Sequence, residues 1–428
     1  MLRLLYNLSI QLYLLLVRLA ALRSSKAKKW LKGRKDQKNL LSQWAQNFNG
    51  SHTVWFQCAS LGEFEQARPL IEAYMNIFPE AELLLSFFSP SGYEVRKGYD
   101  KAKVIAYLPI DTAENATQWI KLFSPKIAFF TKNEFWWHYL EACKAKAIPV
   151  YSICCDFSSE KWLNPLRKKI YTKMWSHVEH FFVMNTASAD YLKALKKDNN
   201  SAIKYTVTGD TRFDRALQTR ANATSIDLIA EFKNQSPLFI FGSAWETDVH
   251  IMLPFIKYLL TAQWKVCIAP HEIHREEMQA WQKLIGVEIA AFQSEGILPH
   301  SPTSLYFLDT IGQLSAAYQY ADAAYVGGGF TGALHNILEP AVFGIPIFVG
   351  PKIFRFPEAK LLAEAQLLFP IENGSAAVLN FQKLMNNTKE KLRLQSELKS
   401  IFKLHSGATQ KIIAHFHTGK HENNVSRQ

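Results

Sequence analysis

The chain has 428 residues, 48% of them hydrophobic and 13% aromatic, with a formal net charge of +12. That is apolar material for two cores of the usual domain size of about 100–200 residues, and it excludes wholesale disorder. The positive surplus favours anionic partners without choosing among nucleic acid, acidic lipid headgroups and phosphorylated substrates. Five cysteines, Cys58, Cys143, Cys154, Cys155 and Cys267, form no C-x-x-C pair. Their odd number fits reduced, mostly buried thiols better than a disulfide framework.

Residues 2–22 read LRLLYNLSIQLYLLLVRLAAL, about the 20 residues that a spanning helix needs. Asn7, Gln11 and Arg18 interrupt the run, and Arg18 can snorkel toward a cytoplasmic edge. Arg23, Lys26, Lys28, Lys29, Lys32, Arg34, Lys35 and Lys38 follow, opposed by Asp36 alone. The positive-inside rule places this side in the cytoplasm, and the cluster suits anionic headgroups. A cleaved signal peptide is disfavoured, because its mature start would be strongly basic and its n-region carries only Arg3. A spanning helix and a helix lying in the interface stand as equal readings.

From about residue 50, short apolar runs alternate with helical periodicity. TVWFQCA, ELLLSFF, KVIAYLPI, KIAFFT, PVYSICC and HFFVMN read as strands. After the first, Ala67, Leu70, Ile71, Tyr74 and Phe78 recur at i, i+3, i+4 spacing and predict a helix. Cys154 and Cys155, adjacent in a strand, should point to opposite faces. A polar stretch around Gln218–Asn234 precedes a second series, PLFIFGS, WKVCIAP, SLYFLDT, AAYVGGG and IPIFVGP. Near-continuous apolar strands belong to parallel sheets covered on both faces. The expected fold is therefore α/β, with two doubly wound Rossmann-like domains facing a cleft and ligands at the carboxyl ends of the strands. The expected boundaries are 1–38 for anchor and basic segment, 39–208 and 209–416 for the two domains, and 417–428 for a polar, disordered tail.

Two segments carry the chemistry. Ser60-Leu61-Gly62-Glu63 falls at the first strand-to-helix turn, where helix N–H groups favour an ionised carboxylate able to deprotonate a hydroxyl. Glu63 as a plain helix cap is the competing reading. The run from Val326 to Pro340 opens with three glycines and predicts a turn whose N–H groups approach a phosphate at a helix N-terminus. Gly327, Gly329 and Gly332 match G-x-G-x-x-G, but the next strand ends in Gly350-Pro351 rather than an acid for ribose, which rejects a nicotinamide or flavin site. Asn336 and Glu339 are expected three apart on one helical face, beside a bound phosphate. Gly242-Ser243-Ala244-Trp245, Ala269-Pro270-His271 and Asp309-Thr310-Ile311-Gly312-Gln313 each follow a strand and should gather at one sheet edge. His271 and His274 lack a third ligand at a readable spacing, and no D-x-D pair occurs, so no metal site is expected.

These segments resemble one family. WFQCASLGEFEQARPLIE, NEFWW, VTGDTRFD, IAPHE, DTIGQLSAAYQYADAAYVGG and GALHNILEPAVFGIPIFVGP are similar, in order and across nearly the whole chain, to the Kdo transferases, GT-B enzymes that move 3-deoxy-D-manno-octulosonic acid (Kdo) from CMP-Kdo to lipid A precursors. The resemblance implies Glu63 as general base, and Glu134 and Arg212 as transition-state stabilisers. It implies Ser243, Pro270, His271, Ile311, Gly312, Gln313, Gly329, Asn336, Ile337, Leu338 and Glu339 around CMP. Arg212 replaces a frequent lysine, His271 a frequent arginine, and Lys132 a usual acid; Lys352 and Arg355 depart from a frequent His and Asn pattern, while Glu358 matches. The implied activity is inverting, metal-independent transfer from CMP-Kdo to a lipid A precursor such as lipid IVA, without a cofactor. The implied place is the cytoplasmic face of the inner membrane, against anionic lipids. Another GT-B transferase using a UDP-sugar and a lipid acceptor is the alternative. Nucleic acid is not an expected partner, because the basic residues concentrate at 23–38 and no RNP, KH or helix-turn-helix signature occurs.

Overall fold

Val54, Trp55 and Phe56 are each fully buried although consecutive in one strand, as only a sheet covered on both faces permits. In the computed structural model, residues 2–48, 52–158, 165–199 and 203–425 are described. The first sheet comprises β1 (Thr53–Cys58), β2 (Glu82–Phe87), β3 (Ala102–Tyr107), β4 (Ile127–Thr131), β5 (Val150–Cys155), β6 (His180–Val183) and β7 (Tyr205–Val207). Its order is β3-β2-β1-β4-β5-β6-β7, every pairing parallel. The second comprises β8 (Leu238–Ala244), β9 (Lys265–Pro270), β10 (Ala290–Phe292), β11 (Leu305–Phe307), β12 (Ala323–Val326), β13 (Ile347–Val349) and β14 (Leu368–Pro370). Its order is β10-β11-β9-β8-β12-β13-β14, again parallel throughout.

The strand order reverses between β1 and β4 in one sheet and between β8 and β12 in the other. Such switch points open a crevice beyond the carboxyl ends of the strands. Glu63 follows β1 and Glu134 follows β4; Ser243 is the penultimate residue of β8 and the glycine run follows β12. Topology alone thus sets these residues at the strand ends beside the switch points, the usual ligand position in doubly wound folds. β7, β10 and β14 were not legible as strands. Each has three residues and lies at a sheet edge, where one flank needs no partner and a long apolar run is not required.

The chain divides into two compact units, one of residues 1–215 and 406–428, the other of 216–405. The expected boundary at 208/209 therefore moves, and the last helix, Ala408–Val425, belongs to the first unit rather than the second. Asp214 holds its start, accepting from Gly407 N (2.6 Å), Thr409 N (2.7 Å) and Thr409 Oγ1 (2.7 Å). Ile412 and Ile413 are buried beside Phe56, Tyr74 and Phe129 of the first core. The helix continues to Val425, so the run from 417, read as a disordered tail, is helical that far; residues 426–428 lie outside the described residues.

All five cysteines are free and buried. Cys154 and Cys155 do face opposite cores, across a β-bulge in which Cys154 takes φ 54°. At the N-terminus, helix α1 (Leu2–Ala20) and helix α2 (Ser25–Gln37) pack on the first unit. One expected headgroup contact is lost there. Arg34 turns inward, donating to Leu108 O (3.0 Å) and Phe88 O (2.7 Å) with its guanidinium 3.8 Å from the Trp30 ring. Arg23, Lys26, Lys28, Lys29, Lys32, Lys35 and Lys38 stay exposed.

Candidate active site

In the first unit, Ser60 begins the helix Leu61–Ile77 with an extended backbone, leaving the first-turn N–H groups unused by the helix itself. Glu63 folds back so that its Oε2 accepts from Ala59 N, and the Ser60 N–H also bonds its carboxylate. The expectation of an ionised Glu63 meets a stronger opposing effect. Burial raises its pKa to about 7, against the lowering by those N–H groups and by the Lys132 charge. Glu134 lies between β4 and the helix Trp137–Ala145, accepting from Trp136 Nε1 at 3.0 Å. Burial, then the charge of Glu63, pushes Glu134 up to about 8. Two carboxyl groups that feel each other in a half-buried setting titrate as a pair, and one proton is retained near neutral pH. Glu63, with main-chain donors, is the better place for the charge.

Lys132 was set aside in the sequence reading because it departs from the family pattern. The structure brings it to both carboxylates, whose pKa values it lowers. Its backbone takes φ 58°, a costly region for a non-glycine residue, held by Lys132 N donating to Ile153 O at 2.7 Å. Arg212, in the first turn of the helix Thr211–Ala221, is clamped by Asp210, with Nε and Nη2 at 2.8 and 2.6 Å from Oδ2. Asp210 also accepts from Gln66 Nε2 at 3.5 Å, and Thr211 Oγ1 donates to Gln66 O at 2.6 Å. Arg212 is therefore positioned by the same helix that carries Glu63.

In the second unit, Ser243 takes φ 51° at a bulge between β8 and β9, which sends Trp245 out over the strand ends. The Trp245 and His271 rings stack with centroids 3.9 Å apart, and His335 lies 4.6 Å beyond. Trp245 Nε1 donates to His335 Nε2 at 3.2 Å, so that nitrogen is unprotonated. Burial and the His271 charge lower His335 to about 4, consistent with a neutral ring at physiological pH. Trp245 was expected only as the last residue of a loop at this sheet edge, and His335 was not among the expected site residues. The signal for both was their position, one residue after Ala244 and one before Asn336. Asp248 fastens this wall to the glycine loop, accepting from Trp245 N (2.9 Å), Gly328 N (3.0 Å) and Tyr325 OH (2.6 Å).

The glycine loop corrects the sequence reading. It does not feed a long helix; the next one, Leu338–Ala341, has four residues, so the expected helix-dipole site is absent. The glycines instead let main chains touch. A Cβ at Gly329 would lie 2.5 Å from Gly350 N, and one at Gly328, already at φ 86°, would lie 2.1 Å from Ala333 O. Asn336 and Glu339 are not on one helical face. Asn336 lies two residues before the short helix, accepting from Leu338 N at 3.1 Å and donating to Glu339 Oε1 at 3.1 Å, while Glu339 also accepts from Ser315 Oγ at 2.7 Å. Ile337 and Leu338 are fully buried, so neither offers its side chain to a ligand. Ile311 is 86% exposed, Gly312 takes φ 89°, and Gln313 accepts from Thr310 Oγ1 at 2.5 Å. Pro270 closes β9, Lys352 and Arg355 are exposed, and Glu358 is buried in the first turn of the helix Pro357–Glu364. His274 sits against Glu272 at 3.3 Å.

Two parallel, doubly wound sheets, each with a switch point, define the GT-B fold class. A solved structure of the UDP-GlcNAc 2-epimerase from Neisseria meningitidis, bound to UDP-GlcNAc, matches with a TM-score of 0.58 at 12% identity, covering 85% of this chain and 98% of that one. The model of the family described as 3-deoxy-D-manno-octulosonic-acid transferase matches residues 28–215. Curated relatives include the 3-deoxy-D-manno-octulosonic acid transferase of Haemophilus influenzae, 23% identical over 84% of this chain and 85% of the relative. That of Chlamydophila psittaci is 25% identical over 70% of each. Over most of its length the chain is similar to the Kdo transferases.

Proposed function

We propose that this protein transfers Kdo from CMP-Kdo to a lipid A precursor such as lipid IVA, with inversion at the anomeric carbon. The observation that carries the reading is the Glu63–Glu134 pair beside Lys132, a carboxylate poised near neutrality at a switch point. Glu63 takes the proton of the acceptor hydroxyl, whose oxygen attacks the anomeric carbon of Kdo as the bond to the CMP phosphate breaks. CMP leaves with the electron pair, and no covalent enzyme intermediate is needed. Glu134, kept protonated by burial and by the Glu63 charge, donates a hydrogen bond while Glu63 carries the pair's charge. Arg212 and Lys132 face the developing negative charge.

Residues of the second unit hold the donor. The Trp245–His271 stack offers a flat face to the base, and main-chain groups of the glycine loop and of Asn336–Glu339 suit the ribose and phosphate. The chemistry uses side-chain and main-chain groups alone, so chelation of divalent metal is expected to leave the rate unchanged. The apolar α1 and the exposed cations after it support work at the cytoplasmic face of a membrane rich in anionic lipid.

The test is transfer of radiolabel from CMP-Kdo to tetraacylated lipid A precursor in detergent, by wild type and by Glu63→Gln. Label in the lipid, falling by about 10² or more in the variant, is expected. Transfer from UDP-sugars but not from CMP-Kdo would overturn the reading.

A further inference from the structure

The face that α1 turns to the protein is narrow and continuous. Leu2, Tyr6, Asn7, Ile10, Leu14 and Val17 are its half-buried positions, and at about 3.6 residues per turn they form one stripe. Polar bonds fix that stripe to the folded unit. Tyr6 OH donates to Asp111 Oδ2 (2.5 Å), Asn7 Oδ1 bonds His138 Nε2 (2.8 Å), and Arg3 pairs with Glu141 (3.5 Å). Asp111 in turn accepts from His138 N and Tyr139 N, both at 3.2 Å. Farther along, the Tyr13 ring packs on Trp30 and Phe88, with centroids 5.9 and 6.0 Å away.

The opposite face is leucine. Leu4, Leu8, Leu12, Leu15, Leu16 and Leu19 are 52–67% exposed, and they centre about half a turn round the helix from the docked stripe. Leu5 and Leu22 are exposed as well. Such a surface is too large and too regular to be left to water. Where α1 meets α2, a cavity of about 400 Å³ has Leu14, Trp30 and Trp119 in its lining, with Arg18, Lys35 and Lys38 beside them. Cations at headgroup level next to an apolar face complement an anionic lipid surface.

A helix of 19 residues is about 28 Å long, so by length it could cross the hydrocarbon. Its docking forbids that. Crossing would carry the Arg3–Glu141 pair and the Tyr6–Asp111 and Asn7–His138 bonds into hydrocarbon, or break them and expose Asp111 without its phenol. We infer that α1 lies flat in the interface of an anionic membrane, its leucine face in the acyl boundary and its tyrosine and asparagine face on the protein, and does not span the bilayer. This rests on the membrane association proposed above. A further consequence is chemical. Phe88 stacks on Trp136 at 4.6 Å, and Trp136 bonds Glu134, so the helix that sits at the lipid surface is two side chains away from the reactive carboxylates. A lipid-borne hydroxyl need not leave the membrane plane to reach them.

The five native cysteines are buried, so a spin label goes to an introduced cysteine. The experiment places labels singly at Leu4→Cys, Leu12→Cys and Leu19→Cys in the full chain. It then measures immersion depth by power saturation on phosphatidylglycerol–phosphatidylcholine vesicles. Equal, shallow depths of roughly 5–10 Å at all three positions are expected. A deep Leu12 label with Leu4 and Leu19 labels at opposite surfaces would overturn the inference in favour of a span while keeping membrane association. No immersion at any position would overturn both. Dipolar broadening between copies without immersion would assign the leucine face to a second copy of the chain instead.

Discussion

The two switch points of this protein solve different problems with different materials. The first unit places half-buried ionisable side chains side by side, and Glu63 and Glu134 rise to about 7 and 8. The second unit uses hardly any charge. Its wall is a neutral stack of Trp245, His271 and His335, and its loop is main chain packed on main chain through Gly328, Gly329 and Gly350. One region stores an unfavourable electrostatic arrangement that a proton transfer can use. The other is rigid and shape-determined, as suits holding a ligand in one register. A cation that recurs at neither the strand nor the helix period, Lys132, belongs to the first design, and a tryptophan at a bulge belongs to the second.

The largest expected effect comes from removing the proposed base. Glu63→Gln should lower kcat by about 10² or more while leaving CMP binding intact, as read by transfer assay and calorimetry with CMP. An equal loss of CMP affinity would erase the division of labour drawn here. Gly329→Ala should act in the other direction. Its methyl group would meet Gly350 at 2.5 Å, costing about 1–3 kcal/mol in overpacking, with a lower unfolding temperature and weaker CMP binding. Unchanged stability would mean that the loop is softer than its geometry indicates.

A smaller, more diagnostic effect concerns pH. Both carboxyl groups are raised above the usual carboxylate range, so the folded protein keeps protons that the unfolded chain releases. Their contribution to stability is complete below the unfolded value of about 4.5 and is lost as pH rises through about 7 to 8. The unfolding temperature of wild type should therefore fall between about pH 5 and 8, and Glu134→Gln should flatten that slope. The same variant removes the like charge beside Glu63, so the acid limb of the kcat profile should move to lower pH. An unmoved limb would uncouple the two groups. Least of all, His271→Ala removes one ring of the stack and should raise KM for the donor roughly 2- to 12-fold with kcat little changed, the range of an aromatic pair worth about 0.5–1.5 kcal/mol.

Much of this was open to reading from the residues. Eleven apolar runs became β1–β6, β8, β9 and β11–β13 because a strand buried on both faces must be apolar along its whole length. The edge strands β7, β10 and β14 escaped because edges do not carry that requirement. Glu63 and the glycine run stood out because turn and strand-end positions restrict residue choice. Lys132, Trp245 and His335 did not, since each matters only through the neighbours that the fold supplies.

By itself the sequence determined two parallel α/β units, reduced buried cysteines, an apolar helix ahead of a basic stretch, and the loops at the strand ends. These follow from periodicity and local chemistry, which act between near neighbours in the chain. The tertiary structure decided the rest: that burial outweighs the helix N-terminus at Glu63, that the glycines serve close main-chain packing, and that Asp214 ties the last helix to the first unit. It also decided that α1 has a docked face as well as a leucine face. Desolvation and long-range contact are properties of what surrounds a residue, and residues distant in the chain, such as Asp111 beside Tyr6, supply those surroundings only after folding.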